Sequence, residues 1–180
     1  NKNNFVEKRL KRVSELIFSI FLFLFCSPII LLAAIFIKFE DGGPIFYSQI
    51  RNGFQGNQFK IIKLRTMIIN AEKDGVQWAN SEDIRITKIG VILRKLRIDE
   101  LPQLWSVFIG DMSLIGPRPE RPEIDKILIK EIRFYNYRNT IRPGLSGWAQ
   151  VNYPYGASVY DTNKKLSYDI YYICLLYTSP

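Results

Sequence analysis

At 180 residues the chain suits one domain of ordinary size with a packed core, and is too short for two independent ones. Its 25 Lys and Arg against 17 Asp and Glu leave a net charge of +8, which favours anionic partners: nucleic acid, anionic lipid or a phosphorylated substrate. No histidine is present, which removes Ser-His and Cys-His catalysis and the commonest zinc ligand, and Cys26 and Cys174 make neither a disulfide framework nor a metal cluster.

Residues 1–15 carry Lys8, Arg9, Lys11 and Arg12 and read as a basic interfacial helix. The apolar run 16–39 that follows outlasts the roughly 7–15 residues of a signal core and leads into Glu40-Asp41-Gly42-Gly43-Pro44 without a small-residue cleavage site, so a retained anchor is expected. Ser27-Pro28 lies at its midpoint: proline removes a helix hydrogen bond and the serine hydroxyl can re-satisfy a freed carbonyl, which predicts a bend. A kinked but spanning helix is one reading. Lys38 at the end of the run and Arg51, Lys60, Lys63 and Arg65 beyond it make both flanks basic, which favours a re-entrant hairpin dipping into one leaflet. The chain starts without Met, as a fragment or C-terminal module would.

Residues 44–51 read as a strand, 52–57 as a turn and 58–67 as a return strand, a small hairpin. Alternation puts Phe59, Ile61, Lys63 and Arg65 on one face, and solvation explains the two cations as readily as function does. Residues 68–86 are polar. Thr87 is set to cap a helix through Leu96 with Ile89, Leu93 and Leu96 as its stripe, and Arg94 and Arg97 share a face. Asp99 is placed to cap a further helix, 100–109, with Pro102 in its first turn. A capping role and a chemical one for Asp99 are balanced at this point and compatible, because a helix N-terminus and nearby arginines favour the ionised carboxylate, which can attack phosphorus or ligate Mg²⁺.

Alternate prolines in Gly116-Pro117-Arg118-Pro119-Glu120-Arg121-Pro122 make a stiff segment in which Arg118 either holds an anion at low entropic cost or is simply solvated. A helix is expected over 122–139. The glycines around Arg142, in Arg142-Pro143-Gly144-Leu145-Ser146-Gly147, either aim backbone N–H groups at phosphate or form plain turns.

Taken in order, Ser27-Pro28, Lys63-Leu64-Arg65-Thr66-Met67, Asp99-Glu100-Leu101-Pro102-Gln103-Leu104-Trp105, Gly110-Asp111-Met112-Ser113, Gly116-Pro117-Arg118-Pro119 and Arg142 to Asn152 resemble the bacterial sugar transferases, the monotopic phosphoglycosyl transferases. Pro119-Glu120-Arg121-Pro122 and Asn152-Tyr153-Pro154-Tyr155-Gly156-Ala157-Ser158-Val159 resemble the branch serving exopolysaccharide assembly, whose members often carry an extra N-terminal membrane and soluble region. Tyr168-Asp169-Ile170-Tyr171-Tyr172 matches a family segment, whereas residues 174–180 do not match and are set apart as a truncated or artefactual tail.

The resemblance implies an α+β, mainly helical fold: a re-entrant helix-break-helix anchor packed on a small cytoplasmic domain, 40–173, with a short β-hairpin and interfacial amphipathic helices. It implies transfer of a sugar-1-phosphate from a UDP-sugar to undecaprenyl phosphate, with release of UMP, at the cytoplasmic face of the bacterial inner membrane. Asp99 would be the nucleophile forming a phosphosugar intermediate, and Glu100 its partner for Mg²⁺ and proton handling. Lys63, Arg65, Arg94, Arg97, Arg118 and Arg142 fall among the phosphate- or substrate-contacting groups. A phospholipid membrane is the implied partner, nucleic acid is not, and a homodimer is left open. The rival reading is a non-catalytic, membrane-anchored basic module for anionic lipid or nucleic acid; a carboxylate pair among the arginines would repel such polyanions.

Overall fold

The structure is a computed structural model that describes residues 2–71, 83–154, 156 and 158–178, with side chains described for residues 9–176 of these. Its first element, α1 (Lys2–Asp41), runs for 40 residues with Pro28 inside it. Helical structure continues without interruption through Ser27-Pro28, where a bend is expected, and the reason is local. Pro28 has no N–H to offer the carbonyl of Leu24, and Ser27 Oγ donates to that oxygen at 2.8 Å instead.

Helix α1 packs in the reverse sense to a helix of a water-soluble protein. Glu15, Ser19, Ala33 and Ile37 are buried against the rest of the chain, while Phe18, Phe21, Phe25, Leu32 and Phe36 point outward. It is long and apolar enough to cross a bilayer. Both of its ends are tied to the same body. Near the start Arg12 Nη2 donates to Phe108 O at 3.1 Å and Ser113 Oγ bonds Glu15; near the end Ile89 N donates to Glu40 Oε1 at 3.2 Å and Arg65 pairs with Asp41.

The hairpin forms as expected. Strands β1 (Phe46–Asn52) and β2 (Gln58–Leu64) are antiparallel, with Phe46 opposite Leu64 and Asn52 opposite Gln58. Strand β2 ends three residues before the expected Met67, which bridges Ile86 instead. Most of the polar stretch, 72–82, lies outside the described residues. Helix α2 (Lys88–Lys95) starts where expected, Thr87 Oγ1 accepting from Gly90 N at 3.0 Å, a cap that contributes about 1 kcal/mol. Leu93 is buried in its stripe, but Leu96 falls past the helix end and is exposed.

Beyond α2 come a 3₁₀ turn (Ile98–Gln103), α3 (Leu104–Ile109), β3 (Ser113–Ile115) and α4 (Pro122–Glu131). A second 3₁₀ turn (Tyr135–Thr140), β4 (Gly144–Ser146), α5 (Trp148–Asn152) and α6 (Val159–Thr178) complete the order. Helix α4 stops well short of the expected Asn139. Phe134 takes a left-handed φ of 65°, and the chain recoils so that Tyr135 and Arg138 become buried. Strands β3 and β4 pair in parallel.

Three apolar clusters support this frame. Ala33 and Ile37 of α1 meet Leu64 and Leu93; Ile61 meets Val107 and Met112; Leu128, Ile132 and Tyr135 meet Leu166 of α6. The first fastens the anchor helix to the hairpin, the second fastens the hairpin to α3, and between them lies the turn 98–103.

Candidate active site

The carboxylate pair is presented by the 3₁₀ turn rather than by a helix start. Arg97 takes a left-handed φ of 58° and redirects the chain out of α2, and Asp99 and Glu100 then fall inside the turn, each 8% exposed. Asp99 therefore does not cap the next helix. Helix α3 begins only at Leu104, and no side chain caps it. The physical reason is the tighter winding: three residues per turn, with Pro102 contributing no N–H, rotate both carboxylates inward instead of leaving Asp99 outside the first turn.

Glu100 is held by two cations from distant segments. Lys63 Nζ, on β2, lies 2.8 Å from Oε1; Arg118 Nη2 lies 2.6 Å from Oε1 and its Nη1 3.2 Å from Oε2. Arg97 Nη1 stands further off, 3.9 Å from Oε2. Burial alone would raise the pKa of Glu100, but Arg118 and then Lys63 overcome it and hold the carboxyl well below its usual range. Lys63 itself is pushed down to about 8, by burial first and then by the like charge of Arg118, against the pull of Glu100.

Asp99 is treated differently by its surroundings. Burial raises its pKa, and the nearby charges of Lys63, Arg94 and Arg97 oppose that rise. Its Oδ1 is buried and finds no hydrogen-bond partner among the described residues. A carboxylate oxygen without a donor in a cation-rich pocket is poised to meet a ligand: a metal ion, an electrophilic phosphorus, or both in turn.

The remaining predicted residues divide. Arg94 sits beside the pair, its Nε donating to Thr66 Oγ1 at 2.8 Å. Arg65 is drawn away from the face of Lys63: Nη1 lies 2.6 Å from Asp41 Oδ2, and Nε donates to Pro44 O at 2.6 Å. Arg142 caps the end of α3, Nε donating to Gly110 O at 2.9 Å, with its guanidinium over Phe54. Two residues escaped sequence reasoning. Gln103 and Arg51 line one recess with Lys63 and Arg118, and Gln103 Nε2 and Arg51 Nε are buried without partners among the described residues. Gln103 follows Asp99 by four positions, a helical spacing that could have marked it.

The glycine motifs serve backbone packing. A Cβ on Gly144 would lie 2.1 Å from Gly116 N, and one on Gly116 would lie 2.5 Å from Arg142 O. Gly116 N donates to Ser146 O and Gly144 N to Pro117 O, both at 2.9 Å, so these two N–H groups are spent inside the fold rather than on phosphate. What they hold in place is the segment carrying Arg118.

Among the described residues no three acidic or cysteine side chains converge on one point. A pair of carboxylates completed by substrate phosphate oxygens and water is the donor set that suits Mg²⁺. The unpartnered Oδ1 of Asp99 fits that role, whereas both oxygens of Glu100 are already engaged.

Fold and site together define a protein with a membrane-compatible helix laid beside a carboxylate pair among cations. The chain belongs to the bacterial sugar transferase family, which it matches over residues 6–176. It is 45% identical over 164 residues, 91% of its length, to the UDP-N-acetylgalactosamine-undecaprenyl-phosphate N-acetylgalactosaminephosphotransferase of Aeromonas hydrophila. It is 36% identical over 167 residues, again 91% of its length, to the UDP-glucose:undecaprenyl-phosphate glucose-1-phosphate transferase of Klebsiella pneumoniae. To the Caulobacter vibrioides protein of the same name it is 45% identical over 141 residues, 78% of its length. The chain spans 39%, 36% and 53% of those three relatives respectively.

Proposed function

We propose that this chain transfers a sugar-1-phosphate from a UDP-sugar to undecaprenyl phosphate through a covalent intermediate on Asp99. The observation that carries this reading is the asymmetry of the pair: Glu100 is neutralised by Lys63 and Arg118, while Asp99 Oδ1 is buried and unpartnered. The names of the relatives supply the substrate class.

In the first half-reaction an Asp99 oxygen attacks the sugar-bearing phosphorus of the UDP-sugar. A bond forms between that oxygen and phosphorus, the bond from phosphorus to the bridging oxygen breaks, and UMP leaves with the electron pair. In the second, a phosphate oxygen of undecaprenyl phosphate attacks the same phosphorus and Asp99 departs as a carboxylate. Lys63, Arg94 and Arg118 offset the charge that accumulates on the phosphoryl oxygens, and Gln103 offers a further donor at the recess. Asp99, through its unpartnered oxygen, would hold Mg²⁺ together with substrate phosphate oxygens, while Glu100 stays engaged with Lys63 and Arg118; the ion when bound would supply charge neutralisation to the diphosphate.

The anchor follows the same logic. We infer that α1 enters one leaflet and that both its flanks stay on the cytoplasmic side. Arg12 and Asp41 are about 44 Å apart along a helix rising ~1.5 Å per residue, more than the ~30 Å hydrocarbon core. Yet both ends bond to the same domain. That arrangement supports a one-sided anchor, which lets one site meet a soluble nucleotide sugar and a lipid phosphate.

Steady-state UMP release by the chain in detergent or nanodiscs, with Mg²⁺, undecaprenyl phosphate and a panel of UDP-sugars, tests the activity. Release with at least one donor, lost on Asp99→Asn, is expected; release unchanged by Asp99→Asn refutes the mechanism. The rival basic binding module predicts no release with any donor, together with undiminished retention on anionic vesicles in the same variant.

A further inference from the structure

The stretch 117–120 is fastened at every carbonyl. Pro117 O accepts from Gly144 N at 2.9 Å, Arg118 O from Arg138 Nη2 at 2.7 Å, Pro119 O from Arg51 Nη1 at 3.2 Å, and Glu120 O from Asn52 N at 2.9 Å. Three of these donors belong to the hairpin or to β4, close to the site. The donor to Arg118 O does not. Arg138 comes from the second 3₁₀ turn, and it is itself buried, at 7% exposure.

A buried guanidinium needs a counter-charge, and Asp169 on α6 provides one, its Oδ2 lying 3.2 Å from Arg138 Nη2. Asp169 is 4% exposed, and Tyr135, stacked near the guanidinium, accepts a further hydrogen bond on its hydroxyl. One nitrogen, Nη2, thus bridges the Asp169 carboxylate and the Arg118 carbonyl. Asp169 belongs to the Tyr168-Asp169-Ile170-Tyr171-Tyr172 segment, for which the reaction above has no use. If bulk stability were the only need here, apolar residues of similar volume would meet it at no cost in buried charge. A fixed fork of donors, by contrast, specifies a position.

We propose that Arg138, oriented by Asp169, is a positioning residue: it fixes the backbone of Arg118 so that the Arg118 guanidinium meets both oxygens of Glu100. The inference rests on the reading of Arg118 and Glu100 as parts of the reacting site. Helix α6 thereby reaches the site through two ionic contacts and one carbonyl, although it contributes no group to the chemistry.

The test combines a thermodynamic cycle with a readout that needs no turnover. Arg138→Lys keeps the charge but not the fork, and Asp169→Asn keeps the shape but not the counter-charge. Each should lower kcat for transfer by about a hundredfold, the scale of a small misplacement of a catalytic group, with the KM for undecaprenyl phosphate unchanged. In an Arg118→Ala background the same substitutions should change kcat by less than about twofold, since there is nothing left to position. Leu166→Ala, destabilised to a similar degree but remote from Arg118, should lose less than about threefold. Independently, hydrogen exchange at the Gly116 and Gly144 amides should quicken at least about tenfold in Arg138→Lys while the β1–β2 amides keep their protection. A full loss of kcat retained in the Arg118→Ala background, or unchanged exchange at those two amides, overturns the proposal. A wild-type chain that transfers nothing refutes the reaction instead, and the exchange measurement still decides the positioning.

Discussion

Asp99 and Glu100 are neighbours in sequence with opposite electrostatic fates, and that difference yields two measurable consequences. Burial raises the pKa of Asp99, so its ionised form opposes folding: the native state gains from protonation at low pH, and this gain is lost as pH rises through the folded pKa. At pH 7 Asp99→Asn should therefore unfold no more easily than the native chain, and up to about 1 kcal/mol less easily, while transfer falls at least about a thousandfold. Thermal denaturation beside the UMP assay reads both, and a variant clearly less stable than the parent would contradict this account of the pocket. Lys63 gives the second consequence. Its pKa is lowered from 10.5 to about 8, so between those values the unfolded chain binds the extra proton and stability rises with pH. Unfolding free energy of the parent should climb over pH 8–10.5 by on the order of 3 kcal/mol more than that of Lys63→Met. Transfer should decline as pH rises through about 8, where folded Lys63 loses its proton and no longer offsets charge at the phosphoryl group.

At the scale of elements, the features legible in sequence were those set by local chemistry. The Thr87 cap, the Asn52–Asn57 reversal and the placing of Ile61 and Lys63 on one strand face depend on neighbours a few residues away, and each is present. Positions decided by distant partners are not legible in this way. Arg65 alternates with Lys63 yet turns to Asp41; Asp99 has the spacing of a cap yet is rotated inward; the helix from Pro122 ends at Glu131 because Tyr135 and Arg138 are drawn toward α6. The glycine motif was legible as a motif but not as a contact, since only the pairing of β3 with β4 brings Gly144 against Gly116. Gly144→Ala should accordingly destabilise the chain by about 2–3 kcal/mol through overpacking, measured by urea unfolding, and should weaken transfer by displacing Arg118. A loss under 0.5 kcal/mol, on the order of an ordinary surface change, would mean that the two loops can part freely.

At the scale of the molecule, the anchor and the site form one construction. The turn that bears Asp99 packs between β2 and α1, and an apolar recess lies between α1 and α3, lined by Ser19, Ile20, Phe23 and Leu24 on one side and Leu104, Trp105 and Phe108 on the other. The length and hydropathy of α1 were plain in the sequence. Its contact with the domain along one small and polar stripe was not, because Glu15, Ser19 and Ala33 look like interruptions until the surface opposite them is known. A one-sided anchor predicts that cysteines placed at Ser14 and Gly42, in a chain with Cys26 and Cys174 replaced by serine, react with an impermeant maleimide from the same side of sealed vesicles. Labelling from opposite sides would make α1 a spanning helix. The claim on which the whole reading turns is the covalent role of Asp99, and intact-mass analysis with peptide mapping, after incubation with Mg²⁺ and UDP-sugars but no lipid acceptor, tests it most directly. The account predicts a sugar-phosphate adduct on the peptide bearing Asp99 that disappears when undecaprenyl phosphate is added; UMP formation with no adduct at that residue, or with the adduct elsewhere, would contradict it.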